Sequence, residues 1–309
     1  MVYYYRIYGL TVKSDYEFEE AIKLEKEDVE RIDVVVEEKE LPPEIMGETD
    51  EEKNKGEINV YFLERNKGWF RWYGCGSFVM TNGNRIEYQT ISGCNRLEIN
   101  ELFLCLAFFY ILYQRGMIAM HGSGLVWKGK TIIVSGQSGS GKSSLAEAIL
   151  KQGAKFLADD TVALTVNENG VWAEPAYPQQ KLCIDQITEE MRKSYNMVLL
   201  PEDRGVAKYG VRMPDRFCTV AQKLDALIIL QKNDEITEPA ISEIHGADKM
   251  KYLIQNLYKY DTYARVGLEA DIFKKCIKVA NEIKIYLISR PAEGMTVERQ
   301  LELVNKVLN

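Results

Sequence analysis

Along the first 95 or so residues, short aromatic and β-branched runs are separated by acidic connections. Tyr3 to Leu10, Ile32 to Val36, Ile58 to Leu63, Trp69 to Met80 and Arg85 to Ile91 predict strands. Asn82-Gly83-Asn84 lies between the last two and predicts a hairpin turn, because Asn and Gly tolerate positive φ. The stretch Glu37 to Glu57, with adjacent prolines and alternating charges, predicts an exposed loop. At Glu98 the period changes to helical: Leu102, Leu104, Leu106 and Phe109 are followed by a chain reversal near Gly116.

Beyond that reversal, strands and helices are interleaved. Lys130 to Ser135 predicts a buried strand, and Leu145, Ile149 and Leu150 predict a helix that Gly153 stops. Lys155 to Asp160, Thr161 to Val166 and Val171 to Ala173 predict strands, with a turn at Asn167 to Gly170. Ile187 to Val211, charged and holding a glycine, predicts a mobile excursion before an apolar strand at Leu224 to Leu230. Helices are expected at Lys249 to Tyr258, Leu268 to Ala280 and Thr296 to Leu308, and a last strand at Ile283 to Ile288. The expected fold class is α/β, with a smaller β-rich domain over residues 1–96 and a domain with a mixed β core and flanking helices over 97–309.

Charge and composition narrow the function classes. A net charge of −7 without a lysine- or arginine-rich block argues against an extended nucleic-acid surface. Six cysteines (Cys75, Cys94, Cys105, Cys183, Cys218 and Cys276) lie far apart without a CxxC pair, which argues against zinc and a disulfide framework and for a reducing, cytoplasmic setting. The opening Met1 to Arg6 lacks the pattern of a signal peptide, and the apolar run Leu102 to Tyr113 is too short to span a bilayer, so no membrane partner is expected.

The candidate chemistry starts at Gly136-Gln137-Ser138-Gly139-Ser140-Gly141-Lys142-Ser143-Ser144, a complete phosphate-binding loop between the predicted strand and helix. Its glycines allow backbone N–H groups to surround phosphate oxygens, and the helix N-terminus adds a positive dipole end. Lys142 is expected on the β- and γ-phosphates of ATP and Ser143 on Mg²⁺, with Ser144 starting the ordinary helix. Asp159-Asp160 ends a strand one helix later, where two carboxylates can divide metal binding from proton acceptance.

Met120-His121-Gly122-Ser123, the phosphate loop, and Leu157-Ala158-Asp159-Asp160, in this order and spacing, resemble the HPr kinase/phosphorylase family. The resemblance runs over roughly residues 115–309 and includes Ala176-Tyr177-Pro178, similar to the family's short members. It implies an HPr-kinase-like phosphate-loop domain and an ATP- and Mg²⁺-dependent serine kinase. Asp159 would be the general base and Asp160 the Mg²⁺ ligand, with His121 orienting Asp159 or contacting the phosphoryl group. Lys208 and Arg212 would close over the phosphates, and Arg290 is a weaker candidate of the same kind. The bifunctional enzymes carry a Glu-x-Arg-Gly segment where this chain has Glu174-Pro175-Ala176-Tyr177-Pro178, so a dedicated kinase is implied. The tyrosine-rich opening through Thr11 is similar to short relatives in modified-peptide pathways, including those of lasso peptides, which implies a protein or precursor-peptide acceptor. A small-molecule hydroxyl kinase and a non-catalytic nucleotide-dependent scaffold stay open as alternatives. Family members form rings or smaller oligomers, so the resemblance allows a homo-oligomer of unspecified size.

Overall fold

The computed structural model describes residues 1–46, 58–201 and 206–308. It is a mixed α/β structure of two compact units, one built on Met1–Met117 (with Leu200–Asp203) and one on Ile118–Leu199 and Arg204–Asn309.

The first unit is an eight-stranded sheet with a long helix. Its strand order is Ile22–Lys23, Tyr3–Ile7, Leu10–Ser14, Val34–Glu38, Arg85–Thr90, Gly76–Thr81, Lys67–Trp72, Ile58–Leu63. Two expected single strands are hairpins. Tyr3 to Leu10 turns at Tyr8 and Gly9, both at positive φ, because the Tyr8 side chain is fully buried and its hydroxyl donates to the Leu104 carbonyl. Packing overrides the reluctance of a bulky residue to enter the left-handed region. Trp69 to Met80 likewise divides into two strands at the turn before Gly76. Asn82 and Gly83 take positive φ between Gly76–Thr81 and Arg85–Thr90, the backbone of a tight hairpin turn. Of the loop expected at 37–57, Glu37 and Glu38 belong to a strand, Pro43–Met46 forms one helical turn, and 47–57 lie outside the described residues.

Residues 96 to 114 form one helix whose middle, Leu102–Ala107, is a π-helical turn. Asn95 caps it, its side-chain oxygen accepting the Leu97 N–H at 3.0 Å. At 19 residues and a mean hydropathy of 1.3 the helix is long and apolar enough to cross a membrane, unlike the twelve-residue run read from sequence; 72% of that window is buried inside the protein. Phe103 packs edge-on against Phe18, Phe78 and Tyr88 with ring centroids 5.2, 4.9 and 5.0 Å away. The helix buries its aromatic residues against this sheet, and the first compact unit takes it in, running to Met117. Cys75 and Cys94 are joined by a disulfide, which corrects the reading of the cysteine spacing as arguing against disulfides. Each lies just outside one strand of the same hairpin, a proximity that linear spacing does not reveal.

The second unit holds three sheets. A six-stranded sheet runs Lys155–Ala158, Ser123–Trp127, Lys130–Gly136, Ala226–Lys232, Lys284–Arg290, Ala240–Glu243, with the three strands from Lys130–Gly136 to Lys284–Arg290 parallel. A four-stranded antiparallel sheet runs Gln222–Lys223, Gly170–Ala173, Thr161–Asn167, Ile118–His121. A three-stranded arm pairs Gln179–Cys183 with Lys208–Arg212 and that strand with Met197–Leu199. This arm and the helix Glu189–Ser194 replace much of the irregular excursion expected over Ile187 to Val211. Residues 202–205 lie outside the described residues. The helix Lys142–Lys151 buries Leu145, Ala146, Ile149 and Leu150, the apolar stripe that its sequence predicts.

Candidate active site

Two stretches of chain pass between the same two sheets side by side. Ile118–His121 lies in the four-stranded sheet and Ser123–Trp127 in the six-stranded one, so the chain changes sheet at Gly122. The return passage leaves Lys155–Ala158 in the six-stranded sheet and enters Thr161–Asn167 in the four-stranded sheet across Asp159-Asp160. Pairing of His121 with Thr161 and of Gly124 with Ala158 locks the passages together. Gly122 donates its N–H to the Asp160 carbonyl at 3.1 Å. Both corner residues need unusual backbone: Gly122 has φ 154° and Asp160 φ 66°. A Cβ at Gly122 would collide with the Val134 carbonyl, whereas aspartate is among the few residues that tolerate the left-handed region.

The corner fixes each carboxylate separately. Ser123 Oγ donates to Asp159 Oδ1 at 2.6 Å, and the Lys181 backbone N–H donates to Oδ2 at 2.8 Å. Burial nevertheless raises Asp159 above the ordinary carboxylate range, the two hydrogen bonds opposing it and the adjacent Asp160 charge adding to it. Asp160 faces His121 Nδ1 on one oxygen and Lys181 Nζ on the other, each at 3.6 Å. Burial pushes Asp160 up, but the positive charges of Lys181, Lys208 and Lys259 outweigh it and hold the group below its usual value. The pair is therefore electrostatically split: Asp159 has the greater proton affinity and Asp160 the firmer negative charge. His121 Nδ1 donates to the Asp160 carbonyl at 3.1 Å, and burial lowers its pKa, leaving a neutral ring at neutral pH.

The phosphate loop starts where Lys130–Gly136 ends, beside this corner, since Ser123 pairs with Val134. Lys142 Nζ donates to the Gly136 and Gln137 carbonyls at 2.8 and 2.9 Å, and burial lowers its pKa to about 8. Gly139 and Gly141 have positive φ. Ser140 Oγ is buried without a hydrogen-bond partner, and a Cβ at Gly139 would meet nothing nearer than Lys232 Nζ at 4.0 Å. An unpaired hydroxyl and open space above Gly139 fit a polyphosphate seated on the loop. Ser143 lies in the first helical turn and, with Asp160, could supply oxygen ligands to a metal ion, and Ser144 is exposed.

Of the basic residues read from sequence, Lys208 lies within electrostatic reach of Lys142 and Asp160. Arg212 stands exposed at the other end of the same strand and makes no side-chain hydrogen bond or ion pair among the described residues. Arg290 braces the loop: its Nε donates to the Ser140 carbonyl at 2.7 Å and its Nη1 to the Pro291 carbonyl at 2.7 Å. Sequence reading held Ser123 only as the end of the histidine motif, without a role, and missed Lys181 and Lys259. The signal for Lys181 was a lone charge between Gln180 and Leu182. Lys259 follows the segment Asn256 to Tyr258, which hydrogen-bonds to Ile118–His121 through His121 N–H to the Asn256 carbonyl and Tyr258 N–H to the Ala119 carbonyl, at 2.9 and 2.8 Å. It takes a left-handed backbone at φ 55°. Four lysines, Lys142, Lys181, Lys208 and Lys259, thus act on two carboxylates, a local excess of positive charge in a chain of net charge −7.

No protein-family model matches the chain, and no curated protein matches it. Among solved structures it is similar to the Hpr(Ser) kinase/phosphatase from Coxiella burnetii, with 13% identity and a TM-score of 0.33 over 62% of this chain and 95% of that one.

Proposed function

We propose that the protein is an ATP- and Mg²⁺-dependent kinase that transfers the γ-phosphoryl group to a serine hydroxyl of a protein or peptide, a ribosomally made precursor peptide fitting the resemblance of the tyrosine-rich opening. The observation that carries this reading is the split carboxylate pair beside a phosphate loop, inside an excess of lysines. In this reading Lys142 leaves the loop carbonyls for the β- and γ-phosphates, and the loop N–H groups hold the polyphosphate. Ser143 and Asp160 would hold Mg²⁺, which would supply charge neutralisation to the transferring group. Asp159 takes the proton of the acceptor hydroxyl as that oxygen bonds to Pγ, while the bond from Pγ to the β–γ bridging oxygen breaks and ADP leaves with its electron pair. A carboxylate whose proton affinity is raised by burial suits a base near neutral pH. Its oxygen already accepts one alcohol hydroxyl, that of Ser123. His121, neutral and tied to Asp160, is a positioning residue for the pair. A cytoplasmic site of action and a homo-oligomer belong to the same proposal.

The test is transfer of labelled γ-phosphate from ATP to candidate peptides, proteins and metabolites, with wild type and Asp159→Asn compared at saturating ATP. Asp159→Asn is expected to reduce transfer by a factor of about 100 to 10,000 while leaving ATP binding within about threefold. Full transfer by this variant overturns the base assignment. Tight ATP binding with no transfer to any acceptor favours a nucleotide-dependent binding protein.

A further inference from the structure

The strand next to the phosphate loop brings a further cation to it. Lys130–Gly136 runs parallel to Ala226–Lys232, and that strand to Lys284–Arg290, so all three end at one edge of the six-stranded sheet, the edge where parallel strands present ligands. Gly136, which opens the loop, pairs with Leu230, and two residues further on Lys232 pairs with Arg290. Each of these two cations faces a different glycine of the loop. A Cβ at Gly141 would meet Arg290 Nε at 3.4 Å, and one at Gly139 would meet Lys232 Nζ at 4.0 Å. The two are not equivalent, however. Arg290 donates to the carbonyls of Ser140, Gly139 and Pro291, whereas Lys232 is exposed and makes no hydrogen bond or ion pair among the described residues. Phosphate-loop enzymes commonly hold their metal with an acid at the end of a strand near the loop. Here the neighbouring strand ends in Gln231 and Lys232, a cation in place of that anion. An unpaired ammonium beside a loop that leads into the positive end of the helix Lys142–Lys151 sits in an unfavourable potential, which a polyphosphate on the loop reverses.

Resting on the nucleotide-binding part of the kinase reading above, we propose that Lys232 is a second phosphate-binding lysine of this site: its ammonium closes the open side of the loop at Gly139 and pairs with the polyphosphate oxygens of the nucleotide. Lys142 approaches from the helix and Lys232 from the neighbouring strand, so the polyphosphate lies between two cations carried by different elements. Arg290, occupied by carbonyls, is left as the brace of the loop. The Lys232 contact needs no metal, so it gives the loop an affinity for polyphosphate that persists when Mg²⁺ is withheld.

The experiment needs no acceptor. Calorimetry in excess EDTA follows the binding of two probes: ATP, and tripolyphosphate, which lacks a nucleoside. Lys232→Met is expected to bind each about tenfold more weakly than wild type, the loss that one charge-assisted contact entails. Lys232→Arg should stay within about threefold of wild type, since it keeps the charge. Lys274→Met, which neutralises an exposed lysine on the helix Ala270–Glu282, is the control and should bind both probes as wild type does. Lys232→Gln serves in the same measurements should the Met variant fail to fold. Equal binding by wild type and Lys232→Met overturns the proposal, as does an equal loss in Lys232→Met and Lys274→Met, which would trace the effect to net charge. A loss for ATP alone would place the lysine on the nucleoside and overturn the phosphate contact, and wild-type binding that appears only with Mg²⁺ overturns its independence of metal. A wild type that binds neither probe, with or without Mg²⁺, overturns the nucleotide-binding reading itself.

Discussion

Lys142 Nζ donates to the carbonyls of Gly136 and Gln137 from a place where burial has lowered its pKa to about 8. An unfolded lysine titrates near 10.4, so between roughly pH 8 and 10.4 the unfolded chain holds a proton that the folded chain has released. Stability contributed by this group therefore rises with pH across that window, and below it the folded protein carries the full penalty of a buried ammonium. The two carbonyl hydrogen bonds offset the penalty only in part. Lys142→Met is expected to stabilise the nucleotide-free protein at pH 7 by on the order of 1 kcal/mol and to flatten the alkaline rise, while weakening Mg²⁺–ATP binding by more than about 100-fold. Thermal melts at pH 7 and 9.5, paired with calorimetric titration of ATP, check both halves. A lower melting temperature for the variant at pH 7 would mean that the carbonyl contacts outweigh desolvation.

The helix Lys142–Lys151 carries a second buried charge that its apolar stripe conceals. Glu147 has a side chain only 6% exposed, both of its carboxylate oxygens lack hydrogen-bond partners, and Arg216 Nη1 is 4.0 Å away. Burial raises its proton affinity, with Lys151 and Arg216 opposing. A carboxyl raised in the folded state favours folding below its unfolded pKa of about 4.3, and that contribution is lost as pH rises through the folded value. Glu147→Gln should therefore raise stability at pH 7 by about 1 kcal/mol and leave it unchanged near pH 4, as read by denaturant midpoints at the two pH values. Arg216 Nη1 is itself buried without a hydrogen-bond partner, but the side chain as a whole is 27% exposed and its partner is distant, so losing that partner costs less than the buried carboxylate does. A destabilised Glu147→Gln at pH 7 would show that the ion pair dominates. Elements such as this helix were legible in the sequence because periodicity and glycine punctuation are local signals. The hairpin at Tyr8-Gly9 was not, since a buried hydroxyl bonded to Leu104 holds the turn there. The strand Lys208–Arg212 was obscured by its charges and by a glycine that leaves room for the Gln179 side chain. The candidate site divides in the same way. The phosphate loop and Asp159-Asp160 are contiguous patterns, but the corner that joins them to His121 depends on pairing between segments about 40 residues apart, and Lys181 reaches the pair only through the arm.

Across the molecule, the disulfide gives the first unit a covalent constraint that the second lacks among its described residues, where Cys183, Cys218 and Cys276 are free. Cys75 accepts the Ile91 N–H on its carbonyl at 2.8 Å, so the hairpin ladder that pairs Gly76 with Thr90 itself holds Cys75 beside the segment that leads to Cys94. The bond closes a loop with a sequence separation of 19. By chain entropy such a loop contributes about 3 kcal/mol, chiefly by restricting the unfolded ensemble. The constraint acts on the strands Lys67–Trp72, Gly76–Thr81 and Arg85–Thr90 and on the start of the helix at residue 96, where Trp72 Nε1 also donates to Glu98 Oε1 at 2.7 Å. Reduction, or Cys75→Ser with Cys94→Ser, should therefore act on one unit. Hydrogen exchange of amides in these strands and in residues 96–101 is expected to accelerate by up to about 100-fold, the rate equivalent of that entropy. Amides of Lys130–Gly136, Ala226–Lys232 and Lys284–Arg290, the parallel strands of the second unit, should keep their rates. Equal acceleration in both sets would mean that the units unfold as one, and no acceleration in either would mean that hairpin pairing and aromatic packing around Phe103 already supply the restriction credited to the disulfide. Either outcome would move the stability of the first unit from its covalent link to its core.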